Sequence, residues 1–248
     1  MFVEQTPTVS KNYFEYIKEQ ERVGKEVWSS IDVRDLIVID FGVGESTRKL
    51  MDLGAKVIVV DREIEKLKKY DNLDIALIRG DVTTFPFDSR RIADLAVFYF
   101  TLHEVNLLMH KEVISTAYEV SSNIMVVEPS PKGCPVYQRY AELWLRAMHS
   151  IGKFEDYQPI SYWKKLIENC GFEIVVSKKI KQNTDISSNV LEKMVQSTIK
   201  EWRKLSVENK YIKKMNEFLG YAKKNDMRWS DLIVIIGESK SHNTALSS

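Results

Sequence analysis

Short apolar runs rich in β-branched residues recur along the chain and alternate with segments of helical spacing. Strands of a parallel sheet that is buried on both faces have this nearly continuous apolar character. The alternation therefore predicts an α/β fold, with a doubly wound parallel sheet and helices on both faces. The predicted strands are 35–41, 55–61, 73–81, 92–100, 123–129, 172–180 and 231–239.

Helical patterns separate most of these strands. Apolar side chains recur every three or four residues from 12 to 28, which predicts an amphipathic helix before the first strand. Residues 185–229 carry two further helical patterns, and we predict an inserted helical pair between the last two strands. The polar segment 240–248 is expected to form a frayed tail. The other predicted helices are 46–53, 62–70, 107–121, 136–151 and 160–171, the last of them ended by Gly171.

The composition narrows the class of protein. The 248 residues fit a single core, so we expect one domain over 1–248. With 44% apolar and 29% charged residues, and no apolar stretch near the ~18 residues of a spanning helix, no membrane segment is expected. The first twenty residues do not resemble a secretory signal, and we expect a cytoplasmic protein. Cys134 and Cys170 are too few and too far apart to suggest a disulfide framework or a zinc cluster, and no metal site is predicted.

Two glycines follow the first predicted strand. Gly42 and Gly44 allow a sharp turn and a close approach of the backbone to a ligand, although a tight turn without a ligand is an alternative. Asp61 lies 19 residues after Gly42, at the end of the second strand, where an acid can accept hydrogen bonds from a ribose. A nicotinamide dinucleotide would favour a third glycine at the position of Thr47, and Asp40 would repel its pyrophosphate. The pattern favours a nucleoside-bearing cofactor with a cationic amino-acid end.

These residues resemble the class I S-adenosylmethionine-dependent methyltransferases. The first motif of that family, acid-x-Gly-x-Gly, matches Asp40, Gly42 and Gly44; its ribose-binding acid matches Asp61, and its adenine-edge acid matches Asp81 in RGDVTTFPF. The stretch LAVFYFTLHEV (95–105) is similar to its fourth motif. The resemblance covers about residues 30–130. It implies a Rossmann-like, seven-stranded sheet with the order 3-2-1-4-5-7-6, whose seventh strand is antiparallel.

The resemblance also implies the cofactor, S-adenosyl-L-methionine, and the residues that would hold it. Asp40 and the backbone at Gly42 and Gly44 would hold the methionine portion, and Asp61 the ribose. Other residues would contact the adenine, and the sulfonium would lie beside the end of the fourth strand. The residues assigned to these last contacts are Arg62, Asp81 and Val82 for the adenine, and Phe98 and Tyr99 for the sulfonium. For two of them a simpler role is an alternative: Asp81 as a turn cap and Phe98 as a core residue.

Methyl transfer requires an in-line approach to an activated carbon, so positioning and exclusion of water supply most of the acceleration. A base would help a hydroxyl or a weakly nucleophilic amine, and His103 is the candidate because it follows the strand that borders the cofactor. Its alternative role is to orient the loop. Tyr99 is the second candidate, either closing the methyl site or binding substrate. Cys134 follows the fifth strand, where a thiolate could attack a pyrimidine ring, but a structural thiol is the preferred interpretation.

The leading helix (12–28) and the insertion (185–229) are expected to form a helical lid that shapes a site for a small-molecule acceptor. RNA, tRNA or protein is the alternative acceptor, because the insertion has ten Lys or Arg against six acids. Mixed charges on a helix are more often a solvated surface. A non-catalytic module that binds the cofactor is a third hypothesis, and a dehydrogenase a fourth. The sequence makes no prediction of the oligomeric state.

Overall fold

The computed structural model describes residues 11–83 and 91–240. The predicted tail therefore lies outside the described residues except for Lys240, as do residues 84–87 of the RGDVTTFPF stretch. The strands are β1 (Ile37–Phe41), β2 (Lys56–Asp61), β3 (Ala76–Arg79), β4 (Ala93–Tyr99), β5 (Ser121–Pro129), β6 (Phe172–Ile180) and β7 (Leu232–Ser239). The α-helices are α1 (Lys11–Trp28), α2 (Glu45–Asp52), α3 (Ile64–Leu67), α4 (His110–Val120), α5 (Pro135–His149), α6 (Ile160–Asn169), α7 (Ser188–Lys204) and α8 (Asn209–Ala222).

The seven strands form one sheet with the order β3-β2-β1-β4-β5-β7-β6. The first five strands pair in parallel, and β7 is antiparallel to both β5 and β6. This confirms the predicted sheet, its order and its reversed last strand. β1 and β4 are neighbours in the sheet; the strand that follows β1 lies towards one edge, and the strand that follows β4 lies towards the other. The carboxyl ends of β1 and β4 therefore border the crevice where α/β folds bind ligands.

The chain divides into two compact units. The sheet unit contains Val27–Pro131, Phe154–Ile180 and the chain from Leu232 onward, and therefore all seven strands. The helical unit contains the chain up to Glu26, Lys132–Lys153 and Lys181–Asp231. The inserted pair and all of α1 except Val27 and Trp28 thus belong, together with α5, to a unit of their own. Their predicted role as a lid stays a prediction.

The core of the sheet unit explains why its strands read as continuous apolar runs. Leu95, Ala96, Val97 and Phe98 are consecutive in β4 and are all inaccessible to solvent, so both faces of this strand are buried. On one face, α4 and α6 contribute Ile114 and Trp163 among others to the main apolar cluster. The edge strand β6 instead alternates between buried or partly buried and exposed side chains, as expected where one face meets water.

The helical unit has a core of its own, built mainly from α5, α7 and α8. Trp202 is fully buried, and its ring centroid lies 5.7 Å from that of Trp144. Phe218 is also buried and lies beside Tyr140. Two aromatic residues of the insertion, Trp202 and Phe218, therefore serve packing. Among the described residues no helix is both long and apolar enough to cross a membrane.

Two predicted helices are shorter than their patterns suggested. The segment predicted at 62–70 forms the single turn α3 and then a 3-10 turn at Lys68–Tyr70. The segment predicted at 107–121 begins as a 3-10 turn at Leu107–Met109, capped by the Asn106 side chain, which accepts a hydrogen bond from the Leu108 N–H. Local side-chain bonds of this kind compete with a regular helical start, and apolar periodicity does not reveal them.

Candidate active site

The loop after β1 turns at Gly42. Its φ of +97° is a left-handed conformation that residues with a side chain rarely adopt. A Cβ at this position would also lie 2.8 Å from Thr101 Oγ1. Gly44, by contrast, precedes α2 in extended backbone with open space where a Cβ would point. The strict requirement for glycine therefore falls on Gly42.

Asp61 organises the same loop from the end of β2. Its Oδ2 accepts the Val43 N–H at 2.9 Å, and its Oδ1 accepts the Glu63 N–H at 2.7 Å. The residue is buried to 8% exposure. Each carboxylate oxygen can accept a further hydrogen bond, so the backbone holds the side chain in place without exhausting its acceptors.

Asp81 follows β3 and makes a comparable turn. Its Oδ1 accepts both the Thr83 N–H at 2.9 Å and the Thr83 hydroxyl at 2.8 Å. Partial burial opposes ionisation, but the hydrogen bonds from Thr83 and the charge of Arg62 outweigh it, so the pKa of Asp81 is lowered. Asp81 is thus an ionised turn cap whose second oxygen receives no bond from Thr83.

These loops surround a cavity of about 610 Å³ in the sheet unit, at the carboxyl ends of β1 to β4. The volume is in the range of small-molecule sites. Seven of the ten residues predicted for the site line this cavity: Gly42, Gly44, Asp61, Arg62, Asp81, Val82 and Tyr99. The sequence pattern therefore brings together most of the residues it singled out. The other three, Asp40, Phe98 and His103, do not line it.

Asp40 lies behind the cavity wall. It is fully buried, and its carboxylate accepts hydrogen bonds from the Ser46 hydroxyl at 3.0 and 3.1 Å and from the Thr47 hydroxyl at 2.6 Å. Burial raises the pKa of Asp40 to about 7, the two hydroxyls lower it, and the nearby Asp61 charge raises it. Asp40 thus anchors the first turn of α2 to the end of β1, whereas the family resemblance implied direct contact with the methionine portion.

Phe98 and Tyr99 are neighbours in β4 and point to opposite sides of the sheet. Phe98 is inaccessible to solvent and stacks on Phe41 with ring centroids 4.7 Å apart, which corresponds to the core role named as its alternative. Tyr99 lines the cavity and stacks on Trp28, with ring centroids 5.6 Å apart. Burial, with a smaller contribution from the Glu45 charge, raises the pKa of the Tyr99 hydroxyl, which therefore stays protonated.

His103 lies between two buried carboxylates. Its Nδ1 is 2.6 Å from Glu128 Oε2, and its Nε2 is 3.6 Å from Glu155 Oε1. Burial disfavours the protonated imidazole, but Glu128, followed by Glu155 and Glu104, outweighs it and raises the pKa of His103 to about 9. A group that is protonated at neutral pH is a poor proton acceptor. This geometry favours the orienting role over the role of general base.

Glu128, at the end of β5, fixes the loop that follows β4. Its Oε1 accepts the N–H groups of Thr101 and Leu102 at 3.0 and 2.7 Å. The preceding residue, Phe100, has a φ of +53°, which is unusual for a residue with a side chain. Because Phe100 and Thr101 both line the cavity, the hydrogen bonds of Glu128 hold a strained stretch of its wall in place.

Sequence reasoning missed several residues of the cavity wall. They come mainly from the loop after β4 and from a distant segment: Glu45, Phe100, Thr101, Asn106, Met109 and Phe154. The exposed residue Glu104 also lines the wall. Proximity to the end of β4 was a usable signal for Phe100 and Thr101. No local pattern points to Phe154, because tertiary folding alone brings it to the wall.

Cys134 lies in the helical unit. As N-cap of α5, its Sγ accepts the Tyr137 N–H at 3.5 Å and the Arg228 N–H at 3.4 Å. These contacts agree with the preferred interpretation of a structural thiol.

Solved structures of other proteins share this architecture. An S-adenosylmethionine-dependent methyltransferase from Mesorhizobium loti is 14% identical with a TM-score of 0.55, over 86% of this chain and 95% of that one. A methyltransferase from Archaeoglobus fulgidus, titled SAM-dependent, is 15% identical with a TM-score of 0.54, over 92% and 100%. The YcgJ protein of Bacillus subtilis is 12% identical with a TM-score of 0.59, over 89% and 98%.

The chain has the fold of the S-adenosylmethionine-dependent methyltransferases. No protein-family model and no curated protein matches the sequence. In this methyltransferase fold the cavity lies at the carboxyl ends of the parallel strands, where open α/β sheets bind their ligands.

Proposed function

We propose that this protein is an S-adenosylmethionine-dependent methyltransferase that acts on a small-molecule acceptor. One observation carries the proposal: Gly42, Asp61 and Asp81 lie at the carboxyl ends of three adjacent strands and line a single cavity. Two carboxylates at neighbouring strand ends suit a nucleoside, since one can accept from ribose hydroxyls and the other from an adenine amino group.

The residues present fit this cofactor. Gly42 lines the cavity, and its φ of +97° together with the clash that a Cβ would make with Thr101 requires a residue without a side chain in this part of the wall. Asp61 would hold the ribose, Asp81 and Val82 the adenine edge, and the backbone at Gly42 and Gly44 the methionine portion. When bound, the cofactor supplies a methyl group on a positively charged sulfur, which makes its carbon electrophilic without further activation.

The chain's own contribution is positioning and exclusion of water. Tyr99, Phe100 and Phe154 give the cavity an aromatic portion of its wall. The Tyr99 hydroxyl stays protonated and can donate a hydrogen bond to the molecule that receives the methyl group. His103 and Glu128 fix the loop that carries Phe100 and Thr101. None of these tasks requires a general base, so a nucleophilic acceptor would react once it is aligned.

The cavity favours a small acceptor over nucleic acid. Its volume of about 610 Å³ suits small ligands. Three of the ten basic residues in the insertion form ion pairs: Lys223 with Glu192 at 2.7 Å, Lys210 with Glu208 at 2.8 Å and Arg228 with Asp185 at 3.3 Å. Paired surface charges leave less free charge for phosphate contacts.

Calorimetric titration with S-adenosylhomocysteine tests the cofactor assignment. We expect binding, and we expect Asp61→Asn to weaken it by about 10- to 100-fold, because hydrogen bonds to a charged group contribute roughly 1.5–3 kcal/mol. Asp94→Asn is the matched control. Asp94 also accepts a backbone N–H, from Ile37 at 2.8 Å, but at the amino end of β1 and away from the cavity wall.

Equal losses in the two variants, or no binding by the unaltered protein, would refute the cofactor assignment. Turnover of labelled S-adenosylmethionine against small hydroxyl, thiol and amine compounds, with tRNA and protein in parallel, then tests the acceptor class. Methylation of tRNA alone would contradict the small-molecule proposal. Binding without turnover of any acceptor would favour the non-catalytic module.

A further inference from the structure

His103, Glu104 and Glu155 form a cluster at the edge of the cavity. Each offers one ligand atom, and these three atoms lie within 4.8 Å of one another. His103 and Glu155 are buried, whereas Glu104 is exposed and lines the cavity. An imidazole nitrogen and two carboxylate oxygens are a common ligand set for divalent transition metals.

The Nε2 atom of His103 faces the carboxylate of Glu155. His103 is 8% exposed, and the distance from its Nε2 to Glu155 Oε1 is 3.6 Å. Two atoms that bind one ion at about 2.1 Å lie about 3 to 4 Å apart. The spacing is therefore too long for a good hydrogen bond and suits two ligands of a shared ion.

The groups around the cluster orient it as metal sites require. Glu128 binds Nδ1 of His103 at 2.6 Å and so directs Nε2 towards the cluster. Metal-binding histidines usually make such a bond to a carboxylate through their other nitrogen. Glu155 is in turn held by the Tyr157 hydroxyl at 2.6 Å. Three carboxylates around one imidazole also leave an excess of negative charge, which a divalent cation would offset.

We propose that His103, Glu104 and Glu155 bind one divalent transition-metal ion, of the class of Mn²⁺, Co²⁺ or Zn²⁺, and that Nε2 of His103 releases its proton when the ion binds. The mixed nitrogen and oxygen ligands favour these ions over Ca²⁺ and Mg²⁺, which prefer all-oxygen sites. Three protein ligands leave coordination positions open. The composition of the sequence pointed to no metal site, because the three ligands come from two separate segments and include no cysteine.

The position of the ion would extend the proposed function, on which this step rests. Glu104 belongs to the cavity wall, so an ion bound to it lies beside the space proposed for the acceptor. A bound divalent ion can hold the hydroxyl oxygen of the acceptor and make it easier to deprotonate. The proton would pass to water, and the methyl carbon would leave the sulfur as it bonds to that oxygen. The site would thereby favour acceptors with a hydroxyl group over amines.

Titration of the EDTA-treated full chain with Co²⁺ tests this site, with calorimetry for affinity and visible absorption for imidazole ligation. We expect one Co²⁺ per chain, and we expect Glu104→Gln and Glu155→Gln each to weaken binding at least about tenfold. Glu142→Gln removes an exposed carboxylate that is paired with Arg146 on α5, and it should leave the affinity unchanged. Because Glu104 is exposed, its variant should fold normally.

Substoichiometric Co²⁺, or an affinity that is equal in Glu104→Gln, Glu155→Gln and Glu142→Gln, would overturn the metal site. Titration with S-adenosylhomocysteine in EDTA keeps the two proposals separate. Binding of S-adenosylhomocysteine without Co²⁺ binding would leave the cofactor assignment intact and reject only the ion. If the protein binds Co²⁺ but does not bind S-adenosylhomocysteine, the metal site would be supported and the cofactor assignment rejected.

Discussion

Asp40 shows how one residue can match a motif and yet have a different surrounding from the one expected. As an acid two residues before Gly42, it fits the cofactor motif. Its carboxylate is nevertheless fully buried and bound to the hydroxyls of Ser46 and Thr47. Because a carboxylate without water is costly in its charged form, burial raises its pKa to about 7.

This pKa predicts a specific pH dependence of stability. The folded state keeps the proton of Asp40 up to about pH 7, whereas the unfolded chain loses it near pH 3.8. The contribution of Asp40 is therefore fully present below about pH 4 and is lost as the pH rises to about 7, by roughly 2–4 kcal/mol. Asp40→Asn cannot titrate and should lack this loss.

Urea unfolding of both proteins at several pH values between 4 and 8 measures the effect. Comparison with the variant removes the contribution of all other carboxylates that titrate in the same interval. A difference in unfolding free energy that stays constant with pH would contradict the raised pKa of Asp40.

At the scale of elements, the end of α6 follows directly from local chemistry. Gly171 was predicted to stop this helix, and it lies just beyond Asn169 with a φ of +102°. A Cβ there would also lie 2.8 Å from Cε2 of Tyr118 on α4. The glycine is thus required both for the backbone of the helix end and for the packing of α6 beside α4.

Gly171→Ala should lower the unfolding free energy by about 2–4 kcal/mol, since backbone strain and a clash with a packed ring add together. Gly152→Ala is the matched control: its φ is +73°, but no atom lies within 4 Å of the position of the Cβ. It should show the strain alone, about 1 kcal/mol. Equal losses in urea unfolding of the two variants would show that Tyr118 moves aside at no cost.

At the scale of the whole molecule, the chain comprises a sheet unit and a helical unit. The sequence predicts that α1 and the inserted pair, α7 and α8, act as a lid. If so, addition of S-adenosylhomocysteine should slow hydrogen exchange in α7 and α8, because a lid that closes on a ligand opens less often. The buried helix α4 is an internal control, since its exchange should already be slow.

Hydrogen exchange measured by mass spectrometry, without and with saturating S-adenosylhomocysteine, tests whether α7 and α8 act as a lid. Unchanged exchange in α7 and α8, together with slower exchange in the loop after β1, would show binding without a lid. The cofactor assignment would then stand and the predicted role of the insertion would be wrong.

The sequence by itself determined the strands, their buried character, the turn at Gly42 and the acids at the ends of β2 and β3. These features are local: periodicity over a few residues fixes a strand, and a residue that directly follows a parallel strand reaches the same edge as its neighbours. The strand order followed from the family resemblance and was confirmed. The positions of Asp61 and Asp81 on the cavity wall therefore needed little beyond the chain order.

Only the tertiary structure decided which side chains face the ligand space and which support it. Phe98 and Tyr99 lie in the same apolar stretch of sequence, which does not show which of them faces the cavity. In the structure Phe98 packs against Phe41, and Tyr99 packs against Trp28. The sequence suggests His103 as a base. In the structure, however, the carboxylates of Glu128 and Glu155, which come from distant segments, raise the pKa of His103. Such roles depend on burial and on charges brought together by folding, and neither quantity is a property of a local stretch of chain.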